Sequence, residues 1–406
     1  MSASPDAPDS TDVVVVGGGI MGTSTAYFLS VETDRRVTLV EKDSVAAGSS
    51  GDSSAIIRHH YGGNRDLDPH VYAKMAWWSH QFYRSFTEET GEEITHEDAP
   101  LVRFGTEGTG LGDAVDRGYE VLKELDVPAS RYDGAELQRR YPMYAHVGEY
   151  DFAVSDDRAG YSDGTDVANG FARAARANGA TVVTGVGVTG IREADGSVIG
   201  VDTDAGEIDC EDVVVAAGPW TERLAADVGV DLPLRTTREN VFILESESFR
   251  EQYGDETPMV SLPGDKWYTR PAVGEKFLVA TSAHTEDADP DAYEQEPDEP
   301  ELLELVDWID ENMPVLDDAD IVGKYSGIYT NTPDLGFVLD QIGPDGCFVA
   351  CGFSGHGFKH APAVGRIMSD LVTAGTTAFV DVDFFGADRF DSGDDGSRES
   401  ATTADS

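Results

Sequence analysis

Lysine is scarce in this chain. There are seven, against 22 arginines, and the two together number 29 against 77 aspartates and glutamates. The formal net charge of −48 excludes a nucleic-acid partner and an anionic membrane surface, because both are repelled by it. Cysteine is rarer still. Cys210, Cys347 and Cys351 form no CxxC pair, so they read as buried free thiols, and neither a disulfide framework nor a metal site is expected. No apolar run reaches the roughly 18 residues that a membrane-spanning helix needs. The stretch "MSASPDAPDSTD" (1–12) has neither the basic start nor the apolar centre of a secretory signal. A cytoplasmic protein without membrane insertion is expected.

What is present is a globular chain of 406 residues, 40 % of them hydrophobic, long enough for one large or two medium domains with a real core. The acid is spread over the whole length, including loops such as "HTEDADPDAYEQEPDEPE" (284–301). That pattern reads as a halophilic solvation strategy, in which a salty medium screens the repulsion, and it predicts a melting temperature that rises with KCl. The ends, 1–10 and 391–406, are small, polar and acidic and are expected as disordered tails.

Between the tails, short β-branched runs alternate with helical stretches, as in an α/β protein. Strands are expected at 12–16, 36–41, 181–194, 198–204 and 212–220, and one within "CFVACGF" (347–353). Helices are expected at about 20–30, 67–90, 111–125, 164–179 and 299–313, with another starting near 360. Residues 233–320 read as antiparallel strands plus that one helix.

The most informative turn is "VVVVGGGIMG" (13–22). Gly17, Gly19 and Gly22 give G-x-G-x-x-G between a strand and a helix. Gly17 permits the tight turn, Gly19 lets backbone approach a pyrophosphate, and Gly22 lets the helix pack on the strand. The helix start, with Ile20 and Met21, offers free N–H groups to phosphate. Glu41 closes the next strand at the distance where a carboxylate accepts from ribose hydroxyls, which argues against a 2′-phosphate. NAD and FAD both remain open on these residues. The Gly- and Ser-rich loop "KDSVAAGSSGDSSAIIRHHYG" (42–62), with Lys42, Ser49 and Ser50, suits a chain passing along a flavin ribityl group.

Three segments together resemble the D-amino-acid-oxidase superfamily of FAD enzymes, in its sarcosine oxidase and dimethylglycine dehydrogenase branch. They are "GFSGHGFKHAPAVG" (352–365), "GS…IIRHHYG" (Gly48-Ser49…Ile56 to Gly62) and "DVVVAAGPW" (212–220). The likeness extends over about 11–385. It implies an α/β (α+β) fold: a Rossmann-like FAD-binding domain from 11–85, 155–225 and 321–385, with an inserted, mostly antiparallel β substrate domain from 86–154 and 226–320. It also implies FAD contacts at Val188 (adenine), Ala217 and Gly218 (the strand end), and the Gly355, His356, Gly357 and Phe358 backbone near the flavin. Arg58 and Lys359 match the pair that clamps a substrate carboxylate, where a bidentate guanidinium and an ammonium point charge suit that ligand. Tyr329 and His284 match pocket positions.

Departures from the resemblance carry meaning. Gly327 stands where sarcosine oxidases tether FAD through cysteine, so non-covalent FAD is expected. Val279 or Ala280 stands where they carry a dioxygen-activating lysine, with Lys276 off register, which favours a dehydrogenase over an oxidase. Ala55 replaces an arginine, and Ser50 and Gly51 replace paired histidines. The implied reaction is oxidation of a small carboxylate-bearing amine, an N-methyl amino acid such as sarcosine or dimethylglycine, by hydride transfer to flavin N5. The electrons then pass to dioxygen or an electron-transfer protein. A D-amino acid, proline, glycine or a 2-hydroxy acid fits the same clamp, and a non-catalytic flavoprotein subunit or assembly factor is the reading of another class.

Overall fold

A computed structural model describes residues 7–62, 67–254, 257–274 and 276–390. Its first strand, Val13–Val16, shows why four consecutive valines are needed. Val13 and Val15 pack into a core beneath helices, while Val14 and Val16 pack into a second core on the opposite face. A strand buried on both faces reads as an unbroken apolar run. It lies at the centre of a six-stranded sheet in the order 338–341, 347–351, 212–215, 13–16, 37–41, 181–184. All neighbours are parallel except the pair Val338–Gln341 and Cys347–Cys351.

The helices Ile20–Glu32, Gly164–Ala177 and Ala361–Ala374 cover one face of this sheet. On the other lies a meander of Val188–Ala194, Ser197–Thr203 and Gly206–Asp209. The single strand expected at 181–194 is therefore two. Thr181–Thr184 belongs to the parallel sheet, Gly185 takes φ +77°, and the chain re-enters in the meander at Val188. Likewise 212–220 is strand only to Val215, after which Gly218 (φ +56°) opens a 3-10 turn. The expected helix at 67–90 breaks into Pro69–Arg84 and Phe86–Thr90.

The second large sheet has eight strands in the order 320–331, 235–245, 276–281, 267–272, 259–261, 101–105, 152–156, 129–133. Only 259–261 and 101–105 pair in parallel. Its alternation separates two faces. Trp267 and Val279 enter a core closed by the helix Glu299–Asn312, while Tyr268 and Ala280 lie together on the opposite side. Two segments expected with the cofactor sheet sit here instead. The strand Asp320–Asn331 pairs along its length with Arg235–Glu245, and 155–156 complete the strand Phe152–Asp156. A period-2 ladder continues across the expected boundaries, because the chain switches sheets only where pairing ends.

A small sheet of Ile56–Ile57, Gly160–Ser162 and His96–Asp98 joins these layers and leads directly into Arg58. Residues 7–10, expected as part of a disordered tail, are pinned by backbone pairing: the Asp209 N–H donates to the Asp9 carbonyl at 3.0 Å. The rest of that tail and residues 391–406 lie outside the described residues. Among the described residues no helix is long and apolar enough to cross a membrane.

Candidate functional site

The glycine turn is closed by contacts that only glycine tolerates. A Cβ on Gly22 would lie 2.0 Å from the Gly17 carbonyl oxygen, and one on Gly17, at φ +108°, would lie 2.4 Å from that of Ala216. The helix that follows starts at Ile20, with Gly19 at its N-cap, no side-chain cap and no acidic residue in the first turn. No acidic side chain of its own first turn opposes its dipole there. Ser50 Oγ accepts from the Ile20 N–H at 2.9 Å, so that amide, expected to be free for phosphate, is already satisfied. Glu41 accepts from the Gly18 N–H at 2.6 Å and the Asp43 N–H at 2.7 Å, which fixes its carboxylate at the turn.

From this turn a cavity of about 550 Å³ runs beneath the second sheet. Fourteen of the residues expected to hold a cofactor line it: Gly17, Gly19, Ile20, Met21, Glu41, Lys42, Ser49, Ser50, Val188, Ala217, Gly218, Gly355, Gly357 and Phe358. Gly22 does not; its part is the packing just described. A cavity with glycine-turn amides and an ordered glutamate near one end, and Tyr268, Tyr329 and Gly355 near the other, fits an extended dinucleotide with a flat ring system. The residues present therefore suit FAD.

His356 departs from expectation. Its backbone N–H donates to the Phe353 carbonyl at 2.9 Å and is not free for a ligand. Its ring donates through Nε2 to the Leu335 carbonyl at 3.0 Å and packs 4.7 Å from Phe337. Burial, reinforced by Lys359, holds its pKa well below the usual imidazole value.

A smaller cavity of about 40 Å³ adjoins the large one, and both are lined by Ser54, Tyr268, Tyr329, Gly355 and Phe358. Arg58 and Lys359, from opposite ends of the chain, both line the smaller cavity. They are 2 % and 4 % exposed. Arg58 Nη1 donates to the His60 carbonyl at 2.5 Å, its guanidinium lies 4.5 Å from the Tyr61 ring, and no carboxylate of the described residues forms an ion pair with it. Lys359 Nζ donates to the His356 carbonyl at 3.1 Å. A buried guanidinium and a buried ammonium facing one small space form a trap for an anion.

Tyr329 stands between the cavities, and burial raises its pKa well above the ordinary phenol value. His284 does not reach the smaller cavity. Its ring packs 5.3 Å from Tyr329, with Nδ1 2.8 Å from Asn331 Oδ1, so it backs the tyrosine.

Several lining residues carried no signal in the sequence. Tyr268 was hidden in a strand pattern, where alternation marks a face but not what the face looks at. Trp220 lies under the Lys42 ammonium, 3.4 Å from its ring centre. Asp52 faces the large cavity beside Gly327, where an added Cβ would come within 2.9 Å of Asp52 Cβ. Burial pushes the Asp52 carboxyl up to about 6, partly offset by Tyr293, whose hydroxyl lies 3.4 Å away.

Comparison with known proteins places these features. The family model described as DAO, FAD dependent oxidoreductase, matches residues 12–371. The chain is 27 % identical over 393 residues to monomeric sarcosine oxidase of Arthrobacter sp. (strain TE1826), covering 93 % of this chain and 96 % of that protein. It is 28 % identical over 385 residues to human peroxisomal sarcosine oxidase, covering 89 % and 92 %. The crystal structure of L-proline dehydrogenase from P. horikoshii superposes with a TM-score of 0.83 at 24 % identity, over 95 % of this chain and 99 % of that one. Glycine oxidase from Bacillus cereus ATCC 14579 superposes with a TM-score of 0.74 at 19 % identity, over 91 % and 96 %.

Proposed function

The chain belongs to the DAO family of FAD-dependent oxidoreductases, and from that premise we propose that it oxidises the C–N bond of a small N-methyl amino acid. The observation that carries this reading is the joint lining of one small cavity, next to the large one, by Arg58 and Lys359. The carboxylate of an amino acid is the anion that such a pair grips. Sarcosine oxidases among the relatives support the substrate class.

On this reading Arg58 and Lys359 hold the carboxylate, and Tyr268 and Tyr329 close the space above the adjoining cavity and exclude water. Gly17, Gly19, Glu41 and Val188 hold the far end of FAD. When bound, FAD supplies the two-electron acceptor for a hydride leaving the carbon next to nitrogen. The substrate amine binds unprotonated, so no strong base is required and positioning supplies much of the rate. The resulting iminium takes up water and its C–N bond breaks, giving the demethylated amino acid and formaldehyde.

Ala280, with Tyr268 on the cavity-facing side, and the exposed Lys276 leave no lysine at the position expected to activate dioxygen. That supports a dehydrogenase passing its electrons to another acceptor.

Anaerobic addition of small carboxylates to the purified yellow protein tests the proposal. Sarcosine or dimethylglycine is expected to bleach the flavin band, and air is expected to restore it slowly. Bleaching by proline, glycine or a 2-hydroxy acid in preference to N-methyl compounds would move the substrate class. Bleaching by none, with a protein partner co-purifying in stoichiometric amount, would favour a non-catalytic subunit.

A further inference from the structure

Arg58 faces the small cavity, but its neighbour His59 joins a different cluster. Asp156, 0 % exposed, accepts from the His59 backbone N–H at 2.7 Å and from His59 Nδ1 at 3.0 Å. His80 Nδ1 lies 3.0 Å from His59 Nε2, so the two rings share one hydrogen bond. The other ring nitrogen of His80, Nε2, is fully buried and has no hydrogen-bond partner among the described residues. An orphaned buried polar atom at the end of a satisfied chain needs an explanation.

The explanation lies in what Nε2 faces. His96 and Asp98, on the short strand His96–Asp98, each bring a ligand atom to it, and all three atoms lie within 4.8 Å of one another. Neither ring nitrogen of His96 has a hydrogen-bond partner among the described residues. Its Nε2 comes no closer than 3.6 Å to Asp98 Oδ1. Asp98 is exposed and opens the cluster to solvent, and Arg84 shares its Oδ1 at 2.7 Å through a surface pair that is weak and leaves Oδ2 available.

We propose that His80, His96 and Asp98 form a binding site for one divalent first-row transition ion such as Zn²⁺, with Asp156 and His59 as the hydrogen-bonded chain that orients His80. Two imidazoles and a carboxylate suit such an ion and leave a coordination position open. A carboxylate behind a ligating histidine is the usual means of fixing its tautomer. No metal was expected from the sequence, because the three ligands do not fall at a motif spacing and only folding brings them together. The ion ties the helix Pro69–Arg84 to the sheet whose strand Ile56–Ile57 runs into Arg58, so it braces the clamp from behind. The site does not depend on the substrate proposed above.

The test uses the FAD-loaded full chain, stripped with a chelator and titrated with Zn²⁺ in concentrated KCl, where loose binding to the acidic surface is screened. One equivalent per chain is expected to bind, and Co²⁺ in its place is expected to give a visible d–d band. His96→Ala and Asp98→Ala, both on accessible positions, are expected to weaken binding at least about tenfold and to abolish the zinc-induced rise in Tm. His59→Asn, one step removed, is expected to weaken it roughly 10–100-fold. Absence of a stoichiometric equivalent would overturn the proposal, and so would zinc bound equally well by wild type and His96→Ala.

Discussion

The cofactor cradle and the proposed carboxylate clamp are built on opposite plans. The cradle is backbone: glycines, helix-start amides and one ordered glutamate, much of it set within a single unit of about thirty residues. The clamp is side chain: two buried cations brought from opposite ends of the chain to a cavity of about 40 Å³. Backbone architecture tolerates no extra atom, because nothing can move aside. A side-chain site tolerates substitution in its fold and loses only what the substituted group did.

The largest expected effect breaks the cradle. Gly22→Val places atoms where even a Cβ would stand 2.0 Å from the Gly17 carbonyl, and the purified protein is expected to be colourless or insoluble. Retention of full yellow colour would show that the turn relaxes. Next comes the clamp. Arg58→Ala is expected to cut kcat/KM by the equivalent of about 2–5 kcal/mol, the usual consequence of truncating one partner of a buried charge contact, mostly through KM and with FAD content unchanged. Steady-state kinetics beside the flavin spectrum separate the two, and unchanged kinetics would remove the clamp from the mechanism.

A milder change sharpens the contrast from the cradle side. Glu41→Gln keeps the shape but loses a charged acceptor of two amides, so FAD affinity is expected to fall by about 1.5–3 kcal/mol while KM for substrate holds. Fluorescence titration of the apoprotein with FAD measures it.

The smallest effect concerns Asp52, between the two plans. Its folded pKa of about 6 lies above its ordinary value of 3.8. The folded state therefore holds the proton more tightly, and the wild type loses stability as pH rises from about 4 to 6. Asp52→Asn is expected to remove that dependence, gaining no more than about 1 kcal/mol above pH 6 after allowance for solvent screening and nothing below pH 4. Melting curves at both ends of that window would show it, and parallel curves would place the carboxyl in contact with bulk water.

The difference in plan also explains what could be read in advance. The valine run, the glycine turn and Glu41 announce themselves because their spacing is local and each residue has its own steric or electrostatic reason. Arg58 and Lys359, which line one cavity, were singled out through motif resemblance, since no local rule ties two cations so far apart. Tyr268, Trp220 and Asp52 were not found, because a strand's alternation reveals its faces but not what the other sheet sets against them. His284, expected at a pocket position, does not line the smaller cavity and lies against Tyr329 and Asn331, on a strand-end register that sequence leaves undetermined. The sheet boundary at 321 failed for a related reason: strand length depends on the partner, and Arg235–Glu245 carries the ladder to Asn331.

The order of strands in the six-stranded sheet has a further consequence, for the birth of the molecule. Strand 212–215 is held between 13–16 and 347–351, so its outer edge stays bare until nearly the whole chain has left the ribosome. At typical synthesis rates that wait is roughly 7 to 27 s. Over that interval Val213, Val214 and Val215 present an unpaired apolar rim to solvent, the kind of rim that recruits other nascent chains. A message truncated before codon 347 would accordingly yield material for chaperones and proteases, not a smaller working enzyme.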